Sequence, residues 1–165
     1  MSPVGPDLVE CFVFRVPDGS MDPEFLLIRR APGRIFAGLW QPVTGGLAPD
    51  ETVPACALRE LREEVGFGEA DILGFYDLDQ TTQFYDEGSD AIVSGVIFAV
   101  RTRPDTEPRL SDEHDDLRWV TASEAARLAV WPSYHESIGR IVDNLFEPEV
   151  ARWFELDLEG RRLAR

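Results

Sequence analysis

The sequence predicts an α/β (α+β) fold in which a mixed β-sheet is sandwiched between helices. Several apolar runs rich in Val, Ile and Phe are separated by turns that contain Pro, Gly and Asp, which is typical of strands. One helical pattern lies early in the chain and the others lie late, after most of the strands. The 165 residues suffice for one well-buried core, so a single domain is expected.

The strands are predicted from their composition and from the turns that bound them. The first covers residues 8–16 (LVECFVFRV), before the turn PDGSMDP, and the second covers residues 24–30 (EFLLIRR). A short extended piece, WQPVTGG, leads to the first helix. Later strands are predicted over residues 72–78, 91–101 and 117–120. The polar segment 104–116 is predicted to be an acidic loop.

Capping residues delimit the first predicted helix. Thr52 is a suitable N-cap, Pro54 fits the first turn, and Gly66 is a natural C-terminal cap. The helix is expected to pack through the apolar residues at helical spacing, Ala57, Leu61 and Val65. Two later helices are predicted, one in TASEAARLA and one over residues 133–146. The apolar face of the last one is predicted to be Ile138, Ile141, Val142 and Leu145.

The chain termini and the cysteines bear on domain organisation and location. Residues 1–146 are predicted to form the domain, and residues 147–165 a C-terminal extension that is either a hairpin about Glu159–Gly160 or a partner-binding tail. The N-terminus lacks the pattern of a signal peptide, and no apolar run approaches the ~20 residues that span a membrane. Cys11 and Cys56 are expected to be buried free thiols, so a cytoplasmic protein is expected.

The strongly acidic composition limits the partners. The formal net charge is −15 and the pI is near 4.4. This charge repels DNA, RNA and anionic membrane surfaces, so neither DNA nor a membrane is an expected partner. Anionic small molecules remain candidates, because a divalent metal ion can join carboxylates to phosphates.

The run RELREEVGF in the first helix concentrates carboxylates. A helix turns by ~100° per residue, so Glu60, Glu63 and Glu64 crowd one face while the apolar residues occupy the other. Like charges at this spacing repel each other. The arrangement is useful if a hard cation such as Mg²⁺ or Mn²⁺ binds there. The alternative is a charged helix surface that only faces solvent.

The residues before this run favour the metal site. The segment fits the pattern Gly-x5-Glu-x7-Arg-Glu-U-x-Glu-Glu-x-Gly-U, where U is a bulky apolar residue. The matching residues are Gly45, Glu51, Arg59, Glu60, Leu61, Glu63, Glu64, Gly66 and Phe67. This pattern resembles the Nudix box of the Nudix hydrolases, from which only Phe67 departs, in place of the usual aliphatic residue.

The resemblance implies the Nudix fold and the hydrolysis of a nucleoside diphosphate linked to another group. It implies that Glu60 and Glu64 bind the metal, with Glu63 and the backbone carbonyl of Thr44 completing the ligand set. Gly45, Glu51 and Gly66 would have structural roles in the box. Arg59 can reach Glu51 and hold the loop to the helix, and a catalytic role is also predicted for it.

A general base is required in addition to the metal. Glu63 of the box and Glu113 of the acidic loop SDEHDD are the two candidates, because Nudix enzymes often supply a further carboxylate from a loop beyond the sheet. The neighbours Asp112, Asp115 and Asp116 are alternatives, as is a loop that is merely solvated.

Candidate substrate-binding residues lie before the box. Arg29 and Arg30 end the second strand, and guanidinium groups suit phosphate, although strand alternation predicts that only one of them faces the site. Phe36 and Trp40 are predicted either to stack on a base or pterin ring or to pack in the core. Gln41 follows Trp40 in the same segment.

A narrower resemblance, to the bacterial dihydroneopterin triphosphate diphosphatases also classed as dATP pyrophosphohydrolases, covers most of residues 8–146. The shared elements are Arg29-Arg30, Trp40-Gln41, Val43-Thr44-Gly45, Glu113-His114 and Trp119. It implies a nucleoside or pterin triphosphate as substrate, pyrophosphate as a product, and Mg²⁺ or Mn²⁺ as cofactor. A homodimer is a further prediction.

Three other functions stay open. The substrate could instead be ADP-ribose, a dinucleoside polyphosphate or an RNA 5′ end, although the acidic surface disfavours RNA. The chain could be a non-catalytic Nudix-fold binding module, but such modules commonly lose box carboxylates that are intact here. An acidic structural or interaction protein would leave the box unexplained.

Overall fold

A computed structural model describes residues 5–164 as one mixed sheet of eight strands with helices on both faces. The strands are β1 (Leu8–Arg15), β2 (Glu24–Arg30), β3 (Trp40–Gln41), β4 (Val43–Gly46), β5 (Ile72–Asp86), β6 (Ala91–Thr102), β7 (His114–Thr121) and β8 (Glu155–Leu156). The helices are α1 (Val53–Val65), α2 (Ala122–Leu128), α3 (Pro132–Asn144) and α4 (Pro148–Ala151). A 3₁₀ turn, Glu69–Asp71, precedes β5.

Strand β1 lies at the centre of the sheet, whose order is β3-β2-β1-β6-β5-β8. On one side, β1 pairs with the parallel strand β6. On the other side, its first half pairs with β4 and its second half with β2. Strands β4 and β2 therefore meet beside the middle of β1, and β7 extends the sheet beyond β2. At this junction β4 contacts helix α1, and the end of β2 pairs with the start of β7.

The two faces of β1 alternate as a strand requires. Val9, Cys11 and Val13 belong to the core beneath α1, whereas Phe12 and Phe14 belong to the core beneath α2, α3 and α4. Helices thus cover both faces of the sheet, which confirms the predicted sandwich.

Two strands are longer than the sequence predicts. Strand β5 continues beyond residue 78 to Asp86, because its polar half pairs with β6 after an irregularity between Asp77 and Thr81. Strand β7 begins at His114, because His114 pairs with Arg30 of β2. The prediction that residues 114–116 lie in the acidic loop is therefore wrong. In both places backbone pairing with a neighbouring strand outweighs polar side chains.

The predicted caps of α1 are confirmed. The Thr52 hydroxyl accepts a hydrogen bond from the Ala55 amide at 3.4 Å. Gly66 adopts a φ of 77°, the left-handed conformation that glycine tolerates, and its amide donates to the Arg62 carbonyl at 3.1 Å. In α3, the prediction for Val142 is wrong because its side chain is exposed, and Tyr134 and Ser137 are buried instead.

The C-terminal residues lie against the sheet edge. Strand β8 pairs with β5, and Leu156 is buried in the core beneath α1. The chain then reverses at Gly160, whose φ is 84°, so that Leu156 bridges Arg162 in antiparallel fashion. A hairpin is therefore present about Glu159–Gly160. Among residues 5–164, no helix is long and apolar enough to span a membrane.

Candidate active site

Close contact between β4 and α1 forms the centre of the candidate site. A Cβ atom placed on Gly45 would lie 1.9 Å from the carboxyl carbon of Glu60 and 2.0 Å from its Oε1. At the next residue, Gly46, the nearest atom to such a Cβ is the Asp7 carbonyl oxygen at 3.8 Å. Gly45 therefore leaves the space that the Glu60 carboxylate occupies, whereas Gly46 has no such role.

The Arg59 guanidinium ties the loop before α1 to the helix. Its Nε and Nη2 donate to the two carboxylate oxygens of Glu51 at 2.8 and 2.9 Å, and Nη2 also donates to the Gly46 carbonyl at 2.9 Å. Its Nη1 donates to Glu60 at 2.6 Å and to Glu63 at 3.1 Å. Hydrogen bonds from Arg59 hold the pKa of Glu51 at about 2. The contact that the sequence predicts between Arg59 and Glu51 is thus present.

The box carboxylates differ in burial. Glu60 and Glu64 are buried, whereas the Glu63 side chain is 58% exposed. Burial raises the pKa of Glu64 to about 8, although the Thr44 amide donates to its Oε2 at 3.2 Å and opposes the rise. Burial also raises the pKa of Glu60, and the hydrogen bond from Arg59 opposes that rise. Both carboxylates are removed from water, but Glu60 is paired with Arg59, whereas Glu64 has little compensating positive charge.

These donors fit Mg²⁺ or Mn²⁺. Carboxylate oxygens are the ligands that such hard cations prefer. A bound cation would offset the free-energy cost of burying the charged Glu64 carboxylate. Within residues 5–164, no three acidic, histidine or cysteine side chains already converge as a ligand group. In this arrangement Arg59 pairs with the Glu60 and Glu63 carboxylates. The Thr44 carbonyl stays a predicted ligand.

Of the acidic residues before and within β7, Glu113 has the clearest link to the box. Its charge contributes to the raised pKa of both Glu60 and Glu64. The Glu113 side chain is half exposed, and its Oε1 lies 3.8 Å from Nη1 of Arg34. Asp115 and Asp116 instead face Arg29, at 2.8 and 3.9 Å from its guanidinium nitrogens.

The two strand-end arginines have different surroundings. The Arg29 guanidinium donates a hydrogen bond to Asp115 and holds the pKa of the Asp115 carboxyl below its usual range. Burial raises the pKa of Glu64 and of Tyr134, and the positive charge of Arg30 partly offsets both rises. Arg30 donates from Nε to the Ile35 carbonyl at 2.6 Å. The two arginines thus have different partners, and phosphate binding by one of them stays a prediction.

The aromatic candidates and Gln41 also differ in exposure and in their contacts. Phe36 is exposed, and its ring contacts the Trp131 ring edge-on at a centroid distance of 5.7 Å. Trp40 is half-buried, with the Arg118 guanidinium 4.7 Å from its ring centroid. Gln41 is buried, and its Nε2 lies 3.2 Å from the Thr44 hydroxyl. Gln41 therefore supports the β4 strand beside the box.

Three buried polar residues lie near the junction, and two of them, Glu10 and Tyr134, were not predicted from the sequence. The His114 ring nitrogen Nε2 lies 3.4 Å from Nε2 of Gln41. Burial and the nearby Glu10 carboxylate raise the pKa of Tyr134. Oε2 of Glu10 is buried without a hydrogen-bond partner in the part of the chain that the structure describes. The signal for Glu10 was available, as it is the one charged residue inside the apolar run LVECFVF.

Glu10 leads to a prediction about pH. Burial raises the pKa of Glu10 from 4.5 to about 7, so its ionisation opposes folding. The protonated carboxyl of Glu10 makes its full contribution to the free energy of unfolding below pH 4.5. That stabilising contribution is lost as the pH rises through 7. We expect Glu10→Gln to reduce the loss of stability between pH 5 and pH 8 by about 2–3 kcal/mol in metal-free buffer. Denaturant unfolding at both pH values measures it.

The exposed residue Glu87 provides the control for this measurement. Glu87→Gln should leave the pH dependence of unfolding as it is in the wild type. If Glu10→Gln shows the wild-type pH dependence as well, the carboxyl of Glu10 does not titrate in the folded protein near neutral pH.

Comparison with known proteins identifies the class to which this fold and site belong. A family model described as the NUDIX domain matches residues 9–141. The chain therefore belongs to the NUDIX domain family, which confirms the resemblance drawn from residues 45–67.

Two curated relatives are similar to this chain in sequence. The chain is 34% identical over 117 residues to an octanoyltransferase of Myxococcus xanthus, a match covering 70% of this chain but 31% of that protein. It is 30% identical over 106 residues to the asymmetrical bis(5′-nucleosyl)-tetraphosphatase of Rattus norvegicus, covering 64% of this chain and 69% of that one. The chain thus spans about a third of the first relative and about two thirds of the second.

The two solved structures share the fold. A C. elegans Ap4A hydrolase binary complex superposes with a TM-score of 0.71 at 20% identity, over 84% of this chain and 96% of that one. The E. coli dihydroneopterin triphosphate pyrophosphohydrolase superposes with a TM-score of 0.65 at 24% identity, over 82% of this chain and 94% of that one. At these identities the similarity extends to the fold alone.

Proposed function

We propose that this domain is a Mg²⁺- or Mn²⁺-dependent pyrophosphohydrolase. Its substrate would be a nucleoside or pterin triphosphate, which it would convert to the monophosphate and pyrophosphate in the cytoplasm. The observation that carries the proposal is the pair of buried carboxylates beside β4, Glu60 against Gly45 and Glu64 at the Thr44 amide. Hard-cation chemistry at a diphosphate accounts for two carboxylates in this position.

The bound cation would neutralise the diphosphate and activate the attacking water. Glu60 and Glu64 would hold it, with Glu63 and the Thr44 carbonyl as further ligands. Arg59 would keep the loop and helix together through Glu51, as it does in the structure. Arg30 would bind a phosphate oxygen, since guanidinium groups match phosphate geometry and Arg30 ends β2, where that strand pairs with His114 next to Glu113.

Glu63 and Glu113 are the two candidates for the general base, and we propose that Glu113 has this role. Arg59 already holds Glu63 at 3.1 Å, whereas Glu113 is half exposed and only 3.8 Å from Arg34, a long contact. We expect Glu113→Gln to lower kcat by about 10²–10⁴-fold while Mn²⁺ affinity, measured by calorimetry, stays unchanged. Glu63→Gln is the matched comparison. A larger kcat loss in Glu63→Gln, with metal affinity retained, would transfer the role to Glu63.

A panel of substrates tests the proposed function. The panel contains dNTPs, dihydroneopterin triphosphate, ADP-ribose and diadenosine tetraphosphate, each assayed with Mg²⁺ and with Mn²⁺. We expect turnover of a triphosphate with release of pyrophosphate. Turnover of ADP-ribose alone would contradict the substrate class, and no turnover of any compound would favour a binding module.

Dinucleoside polyphosphates are the second candidate class. They are favoured by the similarity to the rat bis(5′-nucleosyl)-tetraphosphatase and to the C. elegans Ap4A hydrolase. Preferred hydrolysis of diadenosine tetraphosphate in the same panel would support this class. The metal, the carboxylates and Arg59 would have the same roles in either case. A homodimer stays a prediction.

A further inference from the structure

We propose that Phe36 and Trp131 together bind the planar heteroaromatic ring of the substrate. This proposal rests on the proposed function, since it assigns the ring-binding part of the same site. The two side chains come from distant parts of the chain, the loop between β2 and β3 and the residue preceding α3. The sequence indicated Phe36 and Trp40 as candidates, and nothing in it indicated that Trp131 would be the neighbour of Phe36.

The two rings form the centre of an exposed apolar patch. Their centroids are 5.7 Å apart and their planes are inclined by 74°. Phe36 is 57% exposed and Trp131 is 38% exposed, and the adjacent residues Ile35 and Val130 are exposed as well. Contiguous exposed apolar surface that includes aromatic rings is typical of ligand-binding and interaction sites.

The backbone holds Phe36 in an unusual conformation. Its φ is 56°, in the left-handed region that bulky residues rarely adopt. Hydrogen bonds of the surrounding loop maintain it: the Leu39 amide donates to the Phe36 carbonyl at 3.0 Å, and the Gly38 amide donates to the Arg30 carbonyl at 2.9 Å. Strained residues of this kind cluster at ligand sites, where the surrounding structure enforces them.

Arg30 and Ala31 connect the aromatic pair to the segment that carries Glu113. The Arg30 guanidinium donates to the carbonyl of Ile35, the residue next to Phe36, at 2.6 Å. The Ala31 amide donates to the Glu113 carbonyl at 3.0 Å. A ring on Phe36 and Trp131 would therefore belong to a molecule whose phosphates extend toward Arg30 and Glu113. This order matches a nucleotide or a pterin phosphate.

Trp40, the other aromatic candidate, is less suited to this role. The guanidinium groups of Arg118 and Arg29 lie 4.7 and 5.6 Å from its ring centroid. Its ring is already engaged by two cations, and it packs against the core beneath α2 and α3. The Phe36–Trp131 pair retains the exposed ring surface that stacking requires.

Equilibrium binding measurements distinguish recognition of the ring from recognition of the phosphates. Calorimetry with dAMP, dGMP and inorganic pyrophosphate, in Mg²⁺, is compared for the wild type, Trp131→Ala, Phe36→Ala and Trp131→Phe. We expect each alanine variant to weaken binding of a deoxynucleoside monophosphate about 5- to 100-fold and to leave pyrophosphate binding unchanged. Trp131→Phe should restore most of the affinity. Circular dichroism checks that each variant is folded.

Trp153 supplies the matched control. It is another exposed tryptophan, in the C-terminal segment beside Arg152, and Trp153→Ala should change neither affinity. Unchanged monophosphate binding in both alanine variants, or an equal loss for pyrophosphate, would overturn the proposal. Loss of self-association in sedimentation without loss of nucleotide binding would also overturn it, because the patch would then be a protein interface.

The binding measurement does not depend on turnover. If the wild type hydrolyses no triphosphate but the alanine variants lose monophosphate affinity, the proposed function fails and the ring site stands. If triphosphates are hydrolysed but nucleotide affinity is the same in all variants, the ring site alone fails.

Discussion

Replacing Glu64 by glutamine is expected to lower kcat by about 10²–10⁴-fold while the fold is retained. A metal contributes several kcal/mol to stabilising charge in the transition state, and each 1.36 kcal/mol corresponds to about tenfold in rate. Glutamine has nearly the same shape but a neutral oxygen, so it binds a hard cation poorly. Because burial raises the pKa of Glu64 to about 8, the neutral side chain should not destabilise the metal-free protein at pH 8.

Two measurements on the same preparation check this expectation. Steady-state hydrolysis of the best substrate gives kcat, and thermal unfolding without and with Mg²⁺ gives the stability. The wild type should be stabilised by Mg²⁺ and the Glu64→Gln variant much less so. Glu69→Gln, in the exposed turn after α1, is the control and should behave as the wild type. Full activity in Glu64→Gln would contradict the assignment of this carboxylate.

Alanine at Gly45 should have a comparable effect on activity for a steric reason. Its methyl group would overlap the Glu60 carboxylate, at 1.9 Å from the carboxyl carbon. Because the clash is with the end of a flexible side chain, Glu60 can move, and we expect the protein to stay folded. The displaced Glu60 no longer occupies its position at the site. We expect kcat to fall by about 10²-fold or more, the size of effect that a misplacement of about 1 Å produces.

Gly46 provides the matched control because it is the next residue of the same strand. A methyl group there would meet only the Asp7 carbonyl oxygen at 3.8 Å, an ordinary contact. Gly46→Ala should therefore retain activity within a few fold, and both variants should unfold at similar temperatures. Equal activity in Gly45→Ala and Gly46→Ala would show that the position of Glu60 is unimportant for the reaction.

The sequence predicted those parts of the molecule that local chemistry determines. Thr52 and Gly66 marked the ends of α1 because capping depends on residues within one turn. The Arg59–Glu51 contact was also predictable, since both residues belong to one short motif. Strand β2 was placed correctly because turn residues bound its apolar run.

Features that depend on distant pairing were missed. The second half of β5 is polar, and only its ladder with β6 makes it a strand. The Phe36–Trp131 contact joins residues far apart in the chain, which no local pattern shows. Glu10 differs, because the apolar run around it indicated a buried strand, although its position at the centre of the sheet depends on pairing with β4 and β6. Long-range contacts therefore set the parts of the site that would choose a substrate.

The most direct test of the central claim is ³¹P NMR of a triphosphate incubated with the protein and Mg²⁺. A dNTP and dihydroneopterin triphosphate are followed separately, with Glu64→Gln as the inactive control. We predict that the monophosphate and pyrophosphate accumulate in equal amounts and that chelation of the metal stops the reaction. Formation of orthophosphate and a diphosphate, or hydrolysis that persists after chelation, would contradict the account.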